Sequence, residues 1–212
     1  APFTGVYDGQ NHQIRNVMSK GTFGSSGETG LFGVVKGATI QNLGIVDSTF
    51  SNSTYLASFS GKAYDTTFIN CYANNTVDGK NTAAGLVAHG ENTCFHQCFN
   101  MGDISGSNDM GGIVGVLKSG SIDTCFNAGS ITSTGYLITT DNIGGIVGDM
   151  GDYKSPTDDT IRNCYSTGTV SSRSLYSSGI AGVSENPISS CYFAGSGHKY
   201  GICFDDEGTD CY

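Results

Sequence analysis

The chain has 212 residues, of which 32 are glycine, 8 cysteine, 3 proline and none tryptophan, and its formal net charge is −9 at pH 7. Charged residues make up 14%, below the usual share of about a quarter, and an acidic chain with so few basic residues excludes binding to a phosphate backbone. The absence of any apolar run of about 18 residues excludes a helical membrane span.

Taken in chain order, one phrase recurs from end to end. An Asn-Cys-aromatic reference site falls at Val17, Leu43, Cys71, Cys98, Cys125, Cys164 and Cys191, in successive steps of 26, 28, 27, 27, 39 and 27 along the chain. Three residues before it stand Ile14, Ile40, Phe68, Phe95, Ile122, Ile161 and Ile188, every one apolar. Immediately before it stand Asn16, Asn42, Asn70, Gln97, Thr124, Asn163 and Ser190, mostly amide or hydroxyl. A second marker, Gly30, Ala57, Gly85, Gly112, Gly145 and Gly179, precedes the reference site by 12 to 14 positions except in the coil of Cys164.

A period near 27 built from strand-like pieces with Gly and Asn corners predicts an all-β parallel β-solenoid. Each strand pairs with its equivalent one coil away, about 4.8 Å along the axis, so like stacks on like. Apolar ladders fill the interior, and amides at a corner hydrogen-bond along the stack. The expectation is a single domain over 1–212, with about seven coils and a partial terminal coil at 197–212. The glycines oppose a helical solenoid, and a propeller blade needs a longer repeat.

Gly30-Leu31-Phe32-Gly33, with Gly37-Ala38-Thr39-Ile40-Gln41-Asn42-Leu43 after it and Phe3 to Val17 before it, resembles the GLUG-motif repeats of large bacterial surface and secreted proteins. Some of those proteins carry immunoglobulin A-cleaving metalloprotease domains elsewhere. The resemblance covers nearly the whole chain and implies a right-handed β-helix in an extracellular or cell-wall setting. It carries over no catalytic residue, and His-Glu-x-x-His is absent.

Five cysteines, Cys71, Cys98, Cys125, Cys164 and Cys191, occupy the site that Val17 and Leu43 fill in the first two coils. That exchange points to a buried structural thiol ladder, with partial disulfide pairing or metal and redox work as the alternatives. Cys94 and Cys98 bracket His96 but lack a second ligand pair at zinc spacing. Cys203 and Cys211 are expected outside the ladder, where a terminal staple between them is one option. The residue after the ladder site is aromatic at Tyr72, Phe99, Phe126, Tyr165 and Tyr192. If cysteine points inward, alternation sends these rings outward as a stripe for sugar or protein; a bend at the corner would instead make them core.

The step of 39 places two inserted loops, near 134–142 and 149–159. Loops of a solenoid are where binding gathers, so Tyr136 and Tyr153 join the candidate ligand contacts. Asp149, Asp152, Asp158 and Asp159 form a weak calcium candidate whose spacing is not that of an EF-hand, and a solvated acidic loop is the preferred reading. No other cofactor is expected. Polysaccharide-cleaving β-helices need carboxylates together on one outward face, whereas Asp123, Arg162, His89, His96, Asp158 and Asp159 do not recur at one ladder site. The reading is therefore a non-catalytic stalk or adhesin-type binding module, a piece of a larger surface or secreted protein, with a glycan or host protein as ligand. The alternatives are a polysaccharide-active enzyme and a filament subunit that associates end to end.

Overall fold

The computed structural model describes residues 1–21, 27–135, 141–151, 160–197, 200–204 and 209–212. Among them there is no helix, and the strands form one sheet of 20 strands and one of six. Each turn is a circuit of short strands. One circuit runs Thr82–Ala84, Val87–Glu91, Thr93–His96, Phe99–Asn100 and Ile104–Gly106. The next repeats it at Met110–Gly111, Val114–Leu117, Gly120–Asp123, Phe126–Asn127 and Ile131–Ser133. All five pairings between these two circuits are parallel. The chain is a β-solenoid of about six turns, as the six-stranded sheet shows by taking one strand from each turn. The count is slightly below the expected seven. Beyond residue 195, isolated bridges replace the ladders among the described residues: Thr169 to Ser196, Ser178 to Tyr200, Ala181 to Cys203 and Ser189 to Thr209.

The interior is made of ladders, because a residue that recurs once per turn meets its own equivalents. Ile40, Phe68, Phe95, Ile122, Ile161 and Ile188 form one column, each at most 1% exposed. The Phe68 and Phe95 rings stack at 5.3 Å. Burial of each such side chain is worth roughly 2 kcal/mol. The cysteine column beside them is equally closed, from Cys71 and Cys98 at 0% to Cys191 at 1% exposure.

Between the two columns the backbone turns through the left-handed region. Asn42, Asn70, Gln97, Thr124, Asn163, Ser190 and Asp210 have φ between 50° and 56°. A short polar side chain tolerates this conformation better than an apolar one, which explains the amide and hydroxyl column seen in the sequence. Asn70 Nδ2 donates to Asn42 Oδ1 at 2.9 Å and to Asn11 Oδ1 at 3.2 Å.

The first turn departs from the register expected of it. Tyr7, not Ile14, stands beside Ile40, and His12, not Val17, stands beside Leu43. Asn11, with φ 61°, supplies the corner, while Asn16 and Val17 belong to a later bend near Asp47 and Thr49. Two irregularities in the 13-residue strand Phe3–Arg15 absorb the difference. The second marker also slips by one: Ser58, not Ala57, shares the row of Gly85, since Ala57 pairs Ala84. From Gly85 onward that row is glycine because a Cβ has no room. At Gly112 it would meet Gly145 O at 2.3 Å and Asn127 Cγ at 2.4 Å.

An outward aromatic column and two polar columns

The strand after the left-handed corner settles which way the rings face. Cys71, Cys98 and Cys125 point into the core, so alternation turns their successors outward. Tyr72, Phe99 and Phe126 are half-buried, Tyr165 is 42% exposed and Tyr192 is 51% exposed. Ring centroids lie 4.7 Å apart from Tyr72 to Phe99, 4.7 Å from Phe99 to Phe126 and 4.9 Å from Phe126 to Tyr165, with planes within 6° of parallel. Tyr192 continues the column in register with Tyr165. At the other end Gly44 makes room: a Cβ there would meet Tyr72 Cζ at 2.4 Å, and Gln13 Nε2 donates to the Tyr72 hydroxyl at 2.5 Å. Because the rings cover one another's faces, the inner rungs present edges to solvent. Ring edges carry the positive part of the aromatic quadrupole and suit oxygen acceptors.

On the other side of the corner lies a column of charges. His96, Asp123 and Arg162 are in register on three successive turns, which corrects the expectation that these residues are scattered. Arg162 Nη2 donates to Asp123 Oδ2 at 3.0 Å, and His96 Nδ1 lies 3.6 Å from the same oxygen. Asn163 Nδ2 and Thr124 Oγ1 both donate to Asp123 Oδ1 at 3.0 Å. Burial opposes ionisation of Asp123, but the bonds from Asn163, Thr124 and Arg162 outweigh it and hold the carboxyl below its ordinary value. A single, fully engaged carboxylate does not supply the acid and base pair that glycoside hydrolysis uses.

A second polar region lies where the six-stranded sheet meets the strands that follow it. Glu28 Oε1 pairs with Lys62 Nζ at 2.7 Å, the ammonium sits 4.4 Å over the Tyr55 ring, and Tyr55 meets the His89 ring edge-on at 5.9 Å. Burial first, then the charges of Lys118 and Lys62, push the His89 pKa down to about 4. Further along, Asn142 Nδ2 donates to Asp109 Oδ1 at 3.0 Å. Burial, and then the neighbouring charge of Asp149, push the Asp109 carboxyl up to about 6. Asp149 is raised by burial and, more weakly, by Glu185, with Lys118 opposing. Tyr55, Lys62 and Asp109 were not legible as site residues. The signal was the period itself, since Tyr55, Thr82 and Asp109 follow one another one repeat apart, as do Lys62 and His89.

The remaining candidates separate. Asp149 belongs to the strand Val147–Met150, opposite Val116 and Val183, so it is not a loop residue as expected. Tyr136, Tyr153, Asp152, Asp158 and Asp159 lie outside the described residues. Among those described, no three His, Cys, Asp or Glu side chains are grouped so as to hold a metal ion. No disulfide joins any of the eight cysteines. Cys211, expected outside the ladder, is in it: Asp210 supplies the left-handed corner at φ 52°, and Cys191 N–H donates to Cys211 Sγ at 3.4 Å. Cys203 stands instead beside Ala181 in a different column. No described helix is long and apolar enough to cross a membrane.

The class of protein this defines is a parallel β-solenoid. No family model matches the chain, and no curated protein matches it. Among solved structures it is similar to the crystal structure of a candidate immunoglobulin A1 protease from Bacteroides ovatus, with a TM-score of 0.60 and 22% sequence identity. The match covers 88% of this chain and 59% of that one. At that identity the likeness shows the fold.

Proposed function

We propose that this chain is a non-catalytic stalk and adhesin-type binding module of a bacterial surface or secreted protein, and that its ligand lies along the aromatic column. The observation that carries this is the column itself: four stacked rings, Tyr72 to Tyr165, kept on the outer face of a solenoid whose interior already has its own apolar ladders. A row of partly exposed rings on an outer face, packed only against one another along the stack, is a mark of an interaction surface. The ligand this favours is a glycan or a host protein segment rich in oxygen acceptors, laid against the ring edges. Sugar stacking face-on is left to the two ends of the column, because the inner faces are taken. The GLUG-like repeats and the likeness to the Bacteroides protein support a surface or secreted setting.

The test is a glycan array probed with the protein and with Phe99→Ala/Phe126→Ala, its fold verified by circular dichroism. Binding by the protein that disappears in the folded variant supports the reading. Binding that survives unchanged moves the ligand off the column, and no binding by either leaves the stalk alone.

A second reading, a polysaccharide-active enzyme, is favoured by one observation, the two partly buried carboxylates Asp109 and Asp149, both raised by burial and the first raised further by the like charge of the second. Release of reducing or unsaturated sugar ends, abolished by Asp109→Asn, would establish it.

A further inference from the structure

The spacing of the thiol column decides which bond chemistry it admits. Cys71, Cys98, Cys125, Cys164 and Cys191 are free thiols at most 1% exposed, and Cys211 adds a sixth rung next to Cys191. Their strands pair parallel and in register, so successive rungs stand about 4.8 Å apart, in line with the 4.7 to 4.9 Å between the ring centroids one residue further along. A disulfide needs Cβ atoms about 3.5–4.5 Å apart and sulfurs about 2.05 Å apart. In-register rungs about 4.8 Å apart stand at the short end of the Cα range a disulfide allows, and the thiols are not joined. A linear S–metal–S bridge with bonds near the metal–thiolate length of about 2.3 Å spans about 4.6 Å, close to the rung spacing. The polar contacts of the column are to main-chain groups: the Cys71 thiol donates to Ile40 O and Ile69 O, each at 3.4 Å, Cys164 donates to Arg162 O at 3.1 Å, and Cys98 N–H donates to Cys125 Sγ at 3.4 Å. Three ligands converge nowhere among the described residues, so tetrahedral zinc is not served, whereas soft thiol ligands suit a monovalent ion such as Cu(I).

We propose that the column is a soft-metal site, in which Cys71 with Cys98, Cys125 with Cys164, and Cys191 with Cys211 each hold one monovalent d10 ion, Cu(I) or Ag(I), between two sulfurs. Six rungs divide into three such pairs without remainder; the other register of pairing would strand Cys71 and Cys211. For each ion, one thiol loses its proton to solvent and becomes a thiolate, while its partner binds through a sulfur lone pair and keeps its proton. The bridge is then neutral, as an apolar core requires. No electron is transferred.

The experiment is a titration of the reduced, folded protein with Ag(I), read by native mass spectrometry, proton release and ultraviolet charge-transfer absorption, with circular dichroism recorded throughout. Three ions per chain, about one proton per ion and an unchanged β-sheet spectrum are expected. Cys125→Val/Cys164→Val should bind two ions, since Leu43 shows that the site accepts an apolar residue, and Cys94→Ser/Cys203→Ser should still bind three. No uptake, uptake that destroys the β-sheet spectrum, or a stoichiometry set by Cys94 and Cys203 overturns the proposal. Should the valine variant not fold, X-ray absorption on the loaded native protein decides: two sulfur neighbours per ion support it, and three or more, or nitrogen and oxygen, sink it.

Discussion

Asn100 Nδ2 donates to Asn127 Oδ1 at 2.8 Å across two successive turns, with both residues at most 1% exposed. Asn127 passes the contact on to Ser166 Oγ at 3.5 Å, and its own Nδ2 also reaches Gly129 O at 2.9 Å while its Oδ1 accepts from Gly129 N–H at 3.2 Å. This amide ladder replaces apolar filling under the glycine row of Gly85, Gly112 and Gly145. Here the core is held by polar bonds.

Asn127→Ala should therefore cost more than its small volume suggests. It strands the Asn100 donor and the Gly129 amide in a buried site, each worth about 1–3 kcal/mol. A loss of roughly 2–4 kcal/mol in urea unfolding is expected. Gly112→Ala should be at least as severe, because its Cβ would sit 2.3 Å from Gly145 O and 2.4 Å from Asn127 Cγ. A stability within about 0.5 kcal/mol of the native protein, the ordinary range of a surface change, would show for either variant that the ladder relaxes around the substitution.

The left-handed corners give a prediction of opposite sign. Thr124 is the one β-branched residue in the corner column, at φ 56°, where branching at Cβ crowds the following carbonyl. Its hydroxyl bond to Asp123 at 3.0 Å is on the exposed surface and offsets little of that. Thr124→Asn restores the amide used by Asn70 and Asn163 and should raise stability by about 0.5–1 kcal/mol. A decrease on thermal or urea unfolding would mean that the Asp123 contact outweighs the corner strain.

How much of this was legible follows from what a period can and cannot carry. The recurring phrase placed Phe95, Ile122 and Ile161 in one core column, and the amide or hydroxyl before each cysteine marked the corner. Neither needed coordinates, because stacking makes equivalent positions neighbours. The same logic failed at the first turn, where bulges in Phe3–Arg15 put His12 rather than Val17 beside Leu43. A bulge adds residues without changing the pattern of types. It failed again for Cys211, which follows Cys191 by less than a full repeat. The direction of the aromatic column was open in the sequence because a left-handed corner breaks the alternation that would decide it. The Tyr55, His89 and Asp109 region was hidden for a different reason: its members come from columns that meet only where the chain bends.

That region predicts opposed pH dependences. The imidazole of His89 is held at about 4, below its ordinary 6.5, so the unfolded chain binds the extra proton between those values. Stability from this group is present above pH 6.5 and lost as the pH falls toward 4. Discounted for its partial exposure, the loss is about 1–2 kcal/mol. Asp109 behaves in the opposite sense: raised from 3.8 to about 6, it keeps its proton in the folded state, so stability is present at low pH and lost as the pH rises through 4 to 6. Between pH 4 and 6 the two slopes cancel in part. His89→Gln should unmask a stability that falls with rising pH over that window, and Asp109→Asn one that rises. Urea midpoints measured at half-unit steps from pH 4 to 7 test both at once. If the two variants keep the native profile, the groups are not perturbed by their surroundings; if the slopes come out with the signs exchanged, burial of these side chains is not what sets their protonation.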